Sequence, residues 1–567
     1  MKLRIYKYII VAFFATSAFS CSSLLDEPVY TFVSGEDLVA NQSYKDLVAG
    51  AYTTLAWAFQ WGNYHNVVNF DTDYQGGPTW AFGALGAGNF YENGDNINFY
   101  SYYHTSIHRA NYHSYLIEQM DIPDNEKKNA LGELAFLKAW AYFNLVQFYG
   151  DVCLYEKSVS EGADLMIPRS PIKDVYEHII DRLKFAEQNM YSTQDKEYTK
   201  GHPSRGAAKG LLAKVYCTIG SASMPAGNKI IVSGGPRTGL DAQGNSVLIP
   251  FPAKLTFDKD QVAGYGGFDS QEYYRLGREK AREVILSGDF DLYDSQEELW
   301  SPSSKNGKEF MFSLQTLAGS EDLSNFMATD YCGYIREDGQ LVNGYYVHCD
   351  HWFQMFDETD DRITWGVIHR MPYWQESENR LRYYYYPARD SVKVRLGLDG
   401  YDPDDQLSYS ADRYGSKLMK FRQVTVPLDG RRTDFNFPFM RYTETLLLYA
   451  EADNEVNNGP SAEAIAVVDR LNQRNKSRTV TELGQITPWN QVSFRSYILE
   501  ERAKEFAAEG IRRFDLLRWG IYLQTMNAID VDENGVTKRR EARHLLIPIP
   551  ANEVNTNKFI DTNNPGW

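Results

Sequence analysis

The chain has 567 residues, with 58 basic and 75 acidic side chains and a formal net charge of −17. A surface that acidic repels phosphate backbones, which sets nucleic acid aside as a partner, and a mean hydropathy of −0.47 excludes a polytopic membrane protein. Five cysteines are too few for a disulfide scaffold, whereas 40 Tyr, 30 Phe and 11 Trp, 14% of the chain, ask for a surface that uses rings.

Lys2, Arg4 and Lys7 form a basic start, and Tyr8 to Phe19 is almost unbrokenly apolar. That run is short for a bilayer and fits the apolar core of an export signal. Ala18-Phe19-Ser20 then precedes Cys21, the pattern of a bacterial lipoprotein signal in which the thiol is lipidated and becomes the new N-terminus. Ala18 stands where Leu is common and Phe19 is bulky for its place, so an ordinary secretory signal with an incidental Cys is the alternative. Residues 1–20 are thus expected to be signal, 21–40 a lipidated tether, and 41–567 one domain. Of the other cysteines, Cys332 and Cys349 could pair in an exported protein, although spacing alone does not establish it.

Apolar residues then recur at helical spacing. The stripes are Tyr44-Leu47-Ala51-Leu55, Leu134-Leu137-Ala141-Leu145-Phe148, Val175-Ile179-Leu183-Ala186 and Ala207-Leu211-Val215. Tyr273-Leu276-Val284, Tyr442-Leu446-Tyr449 and Ala464-Val467-Leu471 continue the series, with Ser204 and Ser461 placed as N-caps. Small residues in the stripes allow close helix pairs. The fold class expected is mainly α, a TPR-like α-superhelix of degenerate helix-pair units, with long aromatic-rich loops and few short strands. The helical repeats should occupy mainly 41–220, 271–300 and 441–525. Glu309–Leu314 and part of Gln423–Pro427 read as strands. Three segments resist helix assignment: 60–100, 221–267 and 300–437. Long loops in a compact domain are usually functional, and 60–100 and 300–437 are the expected ligand-binding loops.

The block Glu501-Arg502-Ala503-Lys504-Glu505-Phe506-Ala507-Ala508-Glu509-Gly510-Ile511-Arg512-Arg513-Phe514-Asp515-Leu516-Leu517-Arg518-Trp519-Gly520 is specific. With Arg441 to Ala452, Leu137 to Val152 and the ending Ile547-Pro548-Ile549-Pro550 to Trp567, it resembles the SusD/RagB-like outer-membrane lipoproteins of Bacteroidetes, from Cys21 to the C-terminus. Cys153 stands where that family usually has Pro. The resemblance implies an α-superhelix of about four TPR-like units, in a lipid-anchored cell-surface protein seated on a SusC-like TonB-dependent transporter. It also implies capture of a glycan, or in some members a peptide, without catalysis and without a cofactor. Read from its own residues, the block is structural: Glu505, Glu509, Arg512, Arg513 and Asp515 are spaced to pair across a helix–turn–helix join, and Gly510 can turn the chain.

Sugar rings stack their C–H faces on Trp and Tyr and offer hydroxyls to Asp, Asn, Gln and Arg. Two regions supply both: Trp61, Tyr64, Asp71, Asp73, Tyr74 and Trp80, and then Tyr331, Tyr334, Arg336, Tyr345, Tyr346, Trp352, Trp365, Tyr373 and Trp374. The ligand contacts expected are Trp61, Asp71, Asp73, Tyr74, Trp80, Tyr334, Trp352, Trp365 and Trp374. For any single ring, packing on the scaffold is the competing role. Tyr383 to Tyr386 alternates faces if extended.

Other patterns only look like chemistry. Asp530 to Gly535 with Glu541 matches EF-hand spacing, but Lys538, Arg539 and Arg540 oppose a dication, and a solvated Asn-Gly turn is expected instead. His104, His108 and nearby His113 could place two imidazoles on one helix face, but no metalloprotease motif accompanies them, and solvated histidines are expected there. His348, Cys349, Asp350 and His351 are adjacent, which rarely suits one metal. A secreted glycoside hydrolase would need two carboxylates across an aromatic cleft; Asp71 and Asp73 can be imagined there, but the sequence marks no pair as catalytic. A peptide-binding or scaffolding superhelix is the third class.

Overall fold

The computed structural model describes residues 34–567 apart from 61–65, 78, 91–94, 250–252, 336–340, 343, 345, 387–414 and 427–431. The signal, Cys21 and most of the expected tether precede the described residues. The end of that tether is a helix, α1 (Gly35–Ala40), capped by Ser34, whose side chain accepts from the Asp37 amide.

Eight longer helices follow one another in space: α2 (Tyr44–Gln60), then, after the short α3 (Thr79–Gly86), α4 (Asp95–Glu118), α5 (Asp124–Tyr149) and α6 (Ile172–Asn189). Next come α7 (Arg205–Ser223), α8 (Ser270–Ser287), α9 (Tyr442–Asn457) and α10 (Ala462–Arg474). Disregarding α3, each packs on the next, from α2 on α4 through to α9 on α10. Four successive helix pairs stacked in this way are the TPR-like superhelix expected from the stripes. α5 is apolar nearly all round and is buried along most of its length, as a central helix must be. α6 and α10 carry one apolar stripe each, Val175-Ile179-Leu183 and Ala464-Val467-Leu471, and bury it. Ser204 and Ser461 cap α7 and α10 by accepting from Ala207 and Ala464 amides. In α8 the buried stripe is Tyr274-Gly277-Ala281-Val284, one position on from the expected Tyr273 and Leu276, which are partly buried at its edge. α11 (Val480–Ile486), α12 (Gln491–Glu505), α13 (Arg512–Arg518) and α14 (Tyr522–Ile529) close the helical half.

Strands pair only in twos, as separate antiparallel ladders. They are β1 (Gln75–Gly76) with β11 (Val347–His348), β2 (Val152–Cys153) with β3 (Arg169–Ser170), and β4 (Lys229–Ser233) with β7 (Lys254–Asp258). β5 (Thr238–Leu240) pairs with β6 (Ser246–Leu248), β8 (Phe310–Ser313) with β14 (Pro438–Arg441), and β9 (Tyr334–Ile335) with β10 (Leu341–Val342). β12 (Arg370–Gln375) pairs with β13 (Arg380–Tyr385) over six rungs. β8 lies inside the expected Glu309–Leu314 but is buried on both faces. The strand expected at Gln423–Pro427 does not form. Up to Val426 the backbone is bent; the Thr425 amide donates to Asp434 Oδ1 at 2.9 Å, and Gln423 Nε2 donates to Leu299 O and Ser301 O, so side-chain bonds take the place of a ladder. Segment 60–100, read as helix-free, contains α3 and the start of α4. Phe82 of α3 stacks on Phe70 at 4.0 Å, and that burial outweighs the local Gly and Asn content. Cys332 and Cys349 are both buried free thiols; Cys332 Sγ donates to Leu418 O at 3.2 Å. No described helix is long and apolar enough to cross a membrane.

Candidate ligand-binding face

The segment after Asn66–Phe70 enters the protein rather than lining its surface. Asp71 is fully buried, with Arg513 Nε donating at 2.9 Å to one carboxylate oxygen and Arg540 at 2.7 Å to the other. Tyr522 OH donates to it at 2.6 Å. Burial pushes the Asp71 pKa up, but the Arg540 and Arg513 guanidiniums outweigh it and hold the group at about 2. Asp73 receives Arg512 in a two-pronged pair at 2.9 and 2.6 Å. The Tyr74 ring lies between the Arg237 and Arg512 guanidiniums, 5.5 and 5.0 Å from its centroid, and its hydroxyl donates to Ser233 O. Trp352 is buried and donates its indole N–H to Ala503 O at 3.1 Å. These four side chains, expected at the ligand, are enclosed, and their polar atoms are used within the fold.

The partners of the block around Gly510 show what it does. The five residues expected to pair with one another take other partners: Arg512 and Arg513 go to Asp73 and Asp71, and Asp515 pairs with Arg502 and Arg518. Glu505 instead accepts from Arg441 at 3.0 Å, Arg474 at 2.7 Å and Arg362 at 3.2 Å. Glu509 holds Arg441 and Lys420. Asn69 closes the join by donating to Ala508 O and accepting the Gly510 amide. Ala508 and Gly510 both have positive φ, +59° and +77°, which sharpens the turn between α12 and α13. The block therefore clamps the loop half to the helical half.

The β12–β13 hairpin belongs to the loop half. His369 and Tyr386 form its base: the Tyr386 amide donates to His369 O at 3.0 Å, and the two His369 ring nitrogens lie 2.8 and 2.7 Å from Tyr386 O and Ile363 O. Tyr386 OH donates to Asp350 Oδ1 at 3.0 Å, and its ring meets Phe353 edge-on at 5.3 Å. Beyond the base the register pairs Arg370 with Tyr385, Pro372 with Tyr383 and Trp374 with Leu381 on one face. Met371 with Tyr384, Tyr373 with Arg382 and Gln375 with Arg380 occupy the other. Trp374 thus shares a face with Tyr383 and Tyr385. Tyr334 lies on β9 and Trp80 on α3; the side chains of these two and of Trp374 fall outside the description, as do Trp61, Tyr64, Arg336 and Tyr345 altogether.

Trp365 is half-buried beside a crevice also lined by Trp300, Trp352 and Lys504, whose free space of about 20 Å³ suits a water rather than a sugar. Tyr331 is sandwiched by Tyr346 and Phe421, with ring centroids 4.9 and 3.9 Å away, so its faces are taken. A cleft of about 510 Å³ lies on the helical side, among Val146, Val262, Phe514, Leu517 and Leu546. No residue expected at the ligand lines it.

The remaining expectations are corrected by burial. His104 is buried, its pKa pushed down to about 3 by burial and by His108, while burial also lowers His108 and His113. These histidines are desolvated and neutral, not solvated. Among the described residues no group of His, Cys, Asp and Glu is arranged for a metal. The Asp530–Glu541 stretch does fold as a turn, with Val531 bridged to Thr537 and Gly535 at φ +79°, but Asp532 and Asn534 are buried in it rather than solvated.

Residues 303–567 match the model of the SusD family, and residues 22–217 match one described as starch-binding associating with outer membrane. A curated relative, SusD-like protein P2 of Formosa agariphila, is 26% identical over 458 residues, covering 78% of this chain and 75% of its own. A SusD homologue from Bacteroides thetaiotaomicron superposes with a TM-score of 0.70 at 22% identity, over 93% of this chain and 97% of that one. A laminarin-binding SusD-like protein superposes with a TM-score of 0.62 at 19% identity, over 93% and 99%. Matched by SusD models at both ends and built on the SusD fold between them, the chain belongs to the SusD/RagB-like family.

Proposed function

We propose that this protein is a lipid-anchored, surface-exposed, non-catalytic glycan-binding protein. It captures oligo- or polysaccharide and delivers it to a partner SusC-like TonB-dependent outer-membrane transporter. The observation that carries this reading is the β12–β13 hairpin, where Trp374, Tyr383 and Tyr385 share one register face above a rigid family scaffold. A laminarin-binding protein on the same fold supports glycan as the ligand class. Trp61, Trp80, Tyr334 and Trp365 join Trp374 as proposed ligand contacts, while Asp71, Asp73, Tyr74 and Trp352 act beneath them by holding the loops in place. A non-catalytic role is supported by the state of the carboxylate pair considered for a hydrolase: both Asp71 and Asp73 are bound by arginines inside the fold. Anchoring is through Cys21, with residues up to about 33 as the tether and 41–567 as one ligand-binding domain.

The test is isothermal titration of the mature chain, residues 22–567, against a panel of polysaccharides and a peptide pool, with chromatography of the recovered glycan. Binding of a glycan recovered intact, weakened about tenfold or more by Trp374→Ala, is the expected result, since stacking on an aromatic ring contributes on the order of 1 kcal/mol or more. Heat from peptides alone would move the protein to the peptide-import branch, and shortened glycan would make it an enzyme. Cys21→Ser should release the protein from the membrane, and the transporter should co-purify with the wild type from outer membranes.

A further inference from the structure

We infer that His369 is the positioning residue of the β12–β13 hairpin: it holds the hairpin to the scaffold as an imidazolium, and glycan affinity falls when it loses its proton. This rests on the glycan-binding reading and adds a control to it. His369 is buried, and both of its ring nitrogens face backbone carbonyl oxygens, Nδ1 at 2.8 Å from Tyr386 O and Nε2 at 2.7 Å from Ile363 O. A carbonyl oxygen only accepts, so each nitrogen has to donate. The neutral imidazole carries one N–H and the imidazolium two, so only the charged ring satisfies both contacts.

The two carbonyls belong to different parts of the molecule. Ile363 lies in the short helix Asp361–Thr364, whose Arg362 pairs with Asp360, Glu501 and Glu505, so that helix is fixed to the clamp. Tyr386 ends the returning strand. On the other side of His369 the chain is fixed as well, since the Ile368 amide donates to Lys417 O at 2.9 Å and Val367 is bridged to Leu418. The ring thus spans from the scaffold to the returning strand at the point where β12 departs. Deprotonation removes one N–H. Whichever is kept, a nitrogen lone pair then faces a carbonyl oxygen at hydrogen-bond distance, and the returning strand or the short helix has to shift. The rungs of Trp374, Tyr383 and Tyr385 lie on that hairpin. A smaller fraction of molecules with the hairpin in place means a proportionately weaker apparent affinity.

The charged groups on the surrounding elements are engaged elsewhere. Asp360 pairs with Arg362 at 2.8 Å and Asp361 with Lys476 at 3.0 Å. Asp350 accepts from Tyr386 OH and from Gln354, His351 bonds Arg237 and Ile249 O, and Lys417 donates to Gly344 O. Arg370 follows on β12, its side chain outside the description. Phe353 meets the His369 ring edge-on at 6.5 Å. Among the described residues, the two carbonyls are the ring's hydrogen-bond partners.

The experiment is calorimetric titration of the mature chain at pH 6 and at pH 8.5 with laminarin, dextran, xylan, galactomannan, alginate and polygalacturonate. None of these changes its own charge across that range, because uronate carboxyls are already ionised at pH 6. The expected result is a polysaccharide that binds at pH 6 and binds several-fold more weakly at pH 8.5. In His369→Gln, whose amide donates to one carbonyl at every pH, affinity should be lower at pH 6 and level across the range. Neutron diffraction from deuterium-exchanged wild-type crystals at pH 6 should show deuterium on both His369 nitrogens, and needs no variant to fold. Deuterium on one nitrogen alone, equal affinity at the two pH values, or a pH slope retained in His369→Gln overturns the inference and leaves the glycan reading standing. Silence from every polysaccharide overturns both.

Discussion

Asp71 and Asp73 were each read from sequence as ligand contacts because an acid beside Tyr and Trp suits a sugar, and the same acids suit a buried arginine equally well. Local sequence does not distinguish the two, since the partners Arg512, Arg513 and Arg540 lie more than four hundred residues away. Two predictions belong here. Asp71→Ala strands two guanidiniums and should cost about 3–5 kcal/mol in urea unfolding. The folded Asp71 pKa lies at about 2, below its ordinary value of 3.8, so its contribution is present above pH 4 and lost as pH falls towards 2. That titration is worth roughly 2 kcal/mol and disappears in Asp71→Asn. Asp532 has the opposite sign. Burial raises it to about 6, Lys538 offsets this only in part, and Oδ2 has no hydrogen-bond partner. Stability should therefore fall as pH rises from 4 to 6, and Asp532→Asn should stabilise the protein at pH 7 by up to about 3 kcal/mol, keeping the oxygen that accepts from the Asn534 and Val536 amides.

Elements differ in how far their own residues specify them. α7 and α10 were legible down to their capping serines, because a helix with one apolar stripe and a side-chain cap is determined within its own length. Ser461→Ala should cost about 1 kcal/mol by thermal or urea unfolding. α3 was not legible, since Gly83 and its neighbours favour no helix until Phe82 finds Phe70. The β12–β13 hairpin was seen only as an aromatic run; its register, which sorts Trp374 from Tyr373, comes from pairing. Replacing Met371–Tyr384 by an Asn-Gly turn keeps the His369–Tyr386 base and closes a two-residue hairpin. That variant should retain its circular dichroism and thermal midpoint while losing glycan affinity, measured by titration against the same polymer that binds the wild type.

At the scale of the whole molecule the arginine-rich block joins what sequence separates. Glu505 alone gathers Arg362, Arg441 and Arg474 from three segments, with Asn475 donating to it as well. Such a buried cluster need not add net stability, but removing its centre takes one carboxylate from three buried cations, leaving Arg362 to Asp360 and Glu501, Arg441 to Glu309 and Glu509, and Arg474 to Glu309. Glu505→Ala should lose about 3–5 kcal/mol or fail to accumulate, whereas the wild type should unfold in a single calorimetric transition because neither half keeps its charges paired without the other. Two separated transitions would show that the clamp does not couple them.

Helical class and family were determined by the sequence alone, because each rests on residues close together in the chain: stripes at helical period, and a contiguous block from Glu501 to Gly520. The tertiary structure decided that Asp71, Asp73, Tyr74 and Trp352 are enclosed within the fold. Burial and ion pairing are properties of the whole packing, and only three-dimensional contacts reveal that Asp71 faces arginines while the Arg370 and Trp374 rungs share a hairpin face.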